Sequence, residues 1–94
     1  MIQVIEKYIS TSEKKHIRRK FGFRDRRKAL DYIQNRVDQK EAEFLERGIP
    51  ADSIRTWTDM ADIVQDENYM VGFCSWNLDD KAWEMAEYYI KKKE

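Results

Sequence analysis

Residues 77–93 read NLDDKAWEMAEYYIKKK, and whether they coil or extend decides the fold. Asn77 can cap a helix start. Asp79 and Asp80 would fall in the first turn and Lys91, Lys92 and Lys93 in the last, each placement complementing the helix dipole. Ala82, Met85, Ala86, Tyr89 and Ile90 form an apolar stripe at helical spacing. The stretch therefore reads as a C-terminal helix.

Upstream of it, YMVGFCSW (69–76) reads as a strand, QDEN (65–68) as a turn and IRTWTDMADIV (54–64) as another strand. Residues 25–47 contain no Gly or Pro, and Leu30, Ile33, Val37, Phe44 and Leu45 recur at near-helical spacing. Asp25 is a suitable N-cap. Gly48 can end the helix, with Pro50 just beyond. Before that helix, KHIRRKFGF (15–23) alternates. Ile17, Arg19, Phe21 and Phe23 share one side, His16, Arg18, Lys20 and Gly22 the other. The first ten residues, MIQVIEKYIS, read as its hairpin partner, with Thr11, Ser12 and Glu13 as the turn.

The expected order is ββαββα. It is an α+β domain spanning 1–94, with a four-stranded antiparallel sheet and both helices packed on one face. An internal echo agrees: FGFRDRRKAL (21–30) aligns with CSWNLDDKAW (74–83), matching Phe23 to Trp76, Lys28 to Lys81 and Ala29 to Ala82. This points to a duplicated ββα unit.

At 94 residues the chain suits one domain, and 13% aromatic residues argue for a packed core despite 38% charged residues. One cysteine, Cys74, excludes an internal disulfide, and one histidine, His16, leaves no Cys/His set for zinc. The single thiol, and an N-terminus without a signal-peptide pattern, fit a cytoplasmic protein. No apolar run is long enough to cross a bilayer, so no membrane partner is expected.

Charge is unevenly placed. The net charge is zero, yet residues 1–28 hold ten Lys/Arg and three Asp/Glu, and residues 29–94 hold eight and fifteen. Nine cations lie within KKHIRRKFGFRDRRK (14–28). Arg26, Arg27 and Lys28 open the first helix, where the dipole disfavours them at about 0.3–1 kcal/mol each. Local stability is not what they serve. Lys15, Arg18, Lys20, Arg24, Arg26, Arg27 and Lys28 are the candidate partner-binding residues, and Trp57, Tyr69 and Trp83 the candidate contact or stacking aromatics. The bland alternative is a solvated face whose cations protect a sheet edge from aggregation.

A protein partner with an acidic surface, or a second copy of the chain, fits this dipolar charge. The chain then acts as a regulator, adaptor or inhibitor, without catalysis. The runner-up partner is nucleic acid, with phosphates on the same cations and bases on aromatics such as Trp57, Tyr69, Phe73 and Trp76. A pI near 6.6 and the lack of any nucleic-acid motif weigh against it. Trp57 and Trp76 read first as core, and Cys74 as a buried, inert thiol. Acidic pairs such as Asp59/Asp62, Asp66/Glu67 and Asp79/Asp80 lack a metal-loop spacing. With three glycines there is no phosphate loop, so no cofactor or metal is expected.

Overall fold

In the structure, a computed structural model, residues 2–11, 14–59, 69–78 and 82–92 are described. They form β1 (Ile2–Ser10), β2 (Lys15–Phe23), α1 (Arg26–Glu46), a 3-10 turn (Ala51–Ser53), β3 (Ile54–Thr58), β4 (Tyr69–Leu78) and β5 (Ala82–Lys92). The strands make one sheet in the order β2-β1-β5-β4-β3, every neighbouring pair antiparallel. The fold is α+β, with five strands and one helix among the described residues rather than four strands and two.

The difference lies in 82–92. This segment is a strand, and it occupies the centre of the sheet between β1 and β4. Its apolar spacing fits two periods at once. Ala82, Ala86 and Ile90 are four apart, which places them on one side of a helix and equally on one side of a strand. Met85 and Tyr89 do the same on the opposite side. Trp83, Tyr88, Tyr89 and Ile90 favour strands. Ala, Glu, Met and Lys favour helix, but ladder pairing on both flanks overrides that weak preference.

Asn77 accordingly lies within β4 and caps no helix. Asp79, Asp80 and Lys93 lie outside the described residues. The duplicated unit is not realised: after Phe23 the chain turns into α1, whereas after Trp76 it stays extended through Leu78 and returns as β5. β3 is described only to Thr58, and the expected stretch from 60 to 64 and the turn at 65–68 fall outside the described residues.

α1 begins and ends as its sequence dictates. The Asp25 carboxylate accepts the Arg27 N–H at 2.7 Å. At the other end Gly48 takes φ +86°. There the Gly48 N–H donates to the Leu45 carbonyl at 3.0 Å and the Ile49 N–H to the Phe44 carbonyl at 3.1 Å, closing a Schellman turn. The helix carries the chain from one sheet edge, β2, to the other, β3. Its 21 residues span about 32 Å, while five strands are only about 19 Å wide, so it must cross the sheet obliquely.

One side of α1, with Ala29, Leu30, Ile33, Val37 and Phe44 buried, packs on Val4, Val71, Cys74, Trp76, Ala86, Tyr88 and Ile90. Phe44 meets Trp76 edge-on at 6.5 Å. Gly72 lets the layers approach closely: a Cβ there would lie 3.0 Å from Ile33 Cγ2 and 3.3 Å from the Trp57 carbonyl. The helix covers one sheet face; among the described residues no helix covers the other, the open face, where Ile5, opposite Lys20 and Tyr89, is nonetheless buried.

Candidate functional site

The site follows from strand alternation. In the β1–β2 register Val4 faces Phe21, Glu6 faces Arg19, Lys7 faces Arg18 and Ile5 faces Lys20. Paired residues share a face. Lys15, Ile17, Arg19, Phe21 and Phe23 therefore lie on the helix side of β2, and His16, Arg18 and Lys20 on the open side. The basic run is divided by its own strand, not gathered on one surface.

The other candidates are distributed further. Arg24 is exposed in the link between β2 and α1. Arg27 and Lys28 are exposed at the helix start, while Arg26 is half-buried with its Nε and Nη1 shut off from solvent. Asp25 already supplies a carboxylate to the helix start, so that end is internally capped. Of the aromatics, Trp57 is 38% exposed on β3 and stacks on Phe73 with centroids 6.2 Å apart and rings inclined by 26°. It is not the core residue its sequence setting implies. Trp76 is, at 4% exposure. Trp83 is half-buried at the far end of β5, its backbone N–H donating to Thr11 Oγ1 at 2.9 Å. Tyr69 opens β4 opposite Ile90, and its side chain falls outside the described residues.

The open face collects residues the sequence reading did not group. Across one row run Arg18, Lys7, Glu87, Phe73 and Trp57. Tyr89, Lys20, Lys91 and Arg55 share the same face. Among the residues paired in the ladders, five cations (Lys7, Arg18, Lys20, Arg55, Lys91) thus share this face with the carboxylate of Glu87. Glu87 accepts a hydrogen bond from the Tyr89 hydroxyl at 3.0 Å. Burial and this carboxylate both push the Tyr89 phenol above its ordinary value. Lys7 Nζ sits over the Tyr89 ring, 4.7 Å from its centroid. Arg18 and Lys20 make no ion pair among the described residues. Lys7 could have been found from the sequence, because hairpin pairing puts it opposite Arg18.

The helix side is organised differently. Between β2 and the second half of α1 is a cleft of about 290 Å³ bordered by Lys15, Arg19, Arg36, Lys40, Arg47 and the Tyr8 ring. Three of its cations are committed to carboxylates. Arg36 Nε lies 3.1 Å from Glu6, Lys40 lies 3.6 Å from Glu43 and 4.6 Å from the Tyr8 centroid, and Arg47 clasps Glu84 with two bonds of 2.8 and 2.9 Å. The Glu84 side chain is fully buried. Burial alone would raise its pKa. Hydrogen bonds from Arg47 and Tyr8, the charge of Arg47 and a contribution from Trp76 outweigh it and bring the carboxyl down to about 2. Ser10 Oγ adds a bond of 3.3 Å. Burial, then Glu6, push the Tyr88 phenol far up. This cleft is a structural ion-pair network.

Cys74 is fully buried on the helix side, and burial pushes its thiol up to about 12. His16 is exposed on the opposite face of the sheet, so the two cannot form a nucleophile–base pair. Among the described residues no three His, Cys, Asp or Glu side chains gather as a metal site, and no helix is long and apolar enough to cross a membrane. No family model matches the chain, and neither the curated proteins nor the solved structures contain a match to it.

Proposed function

We propose that the protein is a non-enzymatic docking module that holds an anionic macromolecule on the open face and β2 edge of its sheet. One observation carries the reading. Among the described residues, the cleft cations Arg36, Lys40 and Arg47 each meet a carboxylate, of Glu6, Glu43 and Glu84, whereas Arg18 and Lys20 on the open side make no ion pair and lie beside Lys7 and Lys91. Protection of an exposed edge accounts for Arg18 and Lys20 on β2. It does not account for Lys7 and Lys91, which lie on the interior strands β1 and β5. A positive surface spread over three adjacent strands favours an extended anionic partner over a point contact.

The test is retention on immobilised heparin, a generic polyanion. The native protein should bind at 50 mM NaCl and elute on a salt gradient. The double variant Arg18→Glu, Lys20→Glu should pass through unretained with an unchanged melting curve. A native protein that is not retained, or a folded variant that elutes with it, refutes the assignment.

A further inference from the structure

Resting on that docking surface, we infer that its partner is a single-stranded nucleic acid. Two features of the open face coincide. Lys7, Arg18, Lys20 and Lys91 lie on β2, β1 and β5, while the stacked pair Phe73–Trp57 lies on β4 and β3, with Tyr89 between them on β5. In the row Arg18–Lys7–Glu87–Phe73–Trp57 the charge is at one end and the rings at the other. From β1 to β4 is two strand spacings, about 10 Å, which matches the reach from a phosphate to the far edge of its base. Along β2, Arg18 and Lys20 are two residues apart, about 7 Å, comparable to the separation of successive phosphates on an extended strand. A chain running along the strands would seat its backbone on β2 and β1 and turn its bases onto β5, β4 and β3.

The rings decide between single strand and duplex. A duplex hides the faces of its bases, so an exposed indole on the sheet gains little from it. An unpaired base offers a π-face to any aromatic platform. The rings also argue against an acidic protein surface. Carboxylates would satisfy the cations and leave Trp57, Phe73 and Tyr89 facing charge. The acidic side chains of α1 (Asp31, Asp38, Glu41, Glu43, Glu46) belong to the layer behind the sheet. The modest overall pI therefore does not describe the open face, where Glu87 is the one carboxylate among the ladder-paired residues.

The experiment is fluorescence anisotropy of a labelled 12-nucleotide oligo-dT or oligo-U, read beside the heparin result. A 12-bp duplex and poly-glutamate serve as the other arms. Either single strand should bind at least tenfold tighter than the duplex or poly-glutamate and should quench tryptophan emission. If four phosphates are neutralised, affinity should fall roughly 50-fold between 50 and 200 mM salt, from a slope of about −0.7 per phosphate. Trp57→Ala should weaken binding roughly 5- to 160-fold, the range for loss of one stacked base, and leave the salt slope alone. Lys20→Glu should flatten the slope. Trp57→Leu, which keeps apolar bulk without the large ring, should behave as Trp57→Ala does, and it replaces that variant if alanine unfolds the edge strand. Retention on heparin with equal binding of poly-glutamate, or of the duplex, overturns this inference and leaves the docking surface standing. Failure in every arm, heparin included, removes both.

Discussion

Glu84 and Arg47 allow a quantitative test of how the core tolerates a charge. The Glu84 carboxyl drops from an ordinary 4.5 to about 2 on folding. At about 1.4 kcal/mol per pH unit this is worth about 3 kcal/mol. Arg47 is 39% exposed, and solvent screening of that partner trims the figure to about 2 kcal/mol. Because the folded value is depressed, the stabilisation is fully present above about pH 4.5 and disappears as pH falls toward about 2. Glu84→Gln removes the titrating group. Its stability, from urea unfolding followed by tryptophan emission, should lie about 2 kcal/mol below that of the native protein at pH 7, and the two curves should converge between pH 4.5 and 2.5. Arg47→Met leaves the carboxylate buried and unpaired and should cost more, about 3–5 kcal/mol at pH 7. Parallel native and Glu84→Gln curves down to pH 2.5 would show that the ion pair does not set this carboxyl and would refute the reasoning.

Other outcomes follow from single contacts. Gly72→Ala places a methyl group 3.0 Å from Ile33 Cγ2 and should cost about 1–3 kcal/mol by wedging α1 from the sheet, read as a lowered melting temperature. Asp25→Ala removes the acceptor of the Arg27 N–H and should cost about 1 kcal/mol, visible in urea titration. Cys74, buried with its thiol raised to about 12, should ignore a thiol reagent at pH 8 in the folded protein and react at once in urea; rapid labelling of native protein would contradict its burial.

How much of this was legible in the sequence depended on whether the signal was local. β2 reads correctly because Ile17, Phe21 and Phe23 alternate over adjacent residues, and α1 because Asp25 and Gly48 mark its ends within one turn. β5 does not, because its position opposite Ser10 is held by Glu84. A charged residue in a buried strand contradicts every sequence pattern until Arg47, 37 positions away, is known to meet it. The aspartates that precede β5 in sequence and the lysines in which it ends then imitate helix-end charges. The same locality governs the site. The cations of 14–28 were conspicuous, but alternation sends Arg19 to one side of the sheet and Arg18 and Lys20 to the other. Lys91 and Tyr89 joined the open face only once β5 became a strand, and Arg55 only through the pairing of β3 with β4.

The position of β5 bears on how the chain assembles. Ile2 pairs with Lys92, so the earliest and latest strands in chain order must meet before the sheet is whole. Without β5 the other four make two separate ribbons, β2–β1 and β3–β4, each with a bare inner border open to mispairing. During synthesis the keystone arrives after everything it joins, a long-range closure that slows folding. A chain cut before Ala82 would be an unfinished arch rather than a smaller domain, and a synthetic 82–92 peptide is the natural piece with which to complete it.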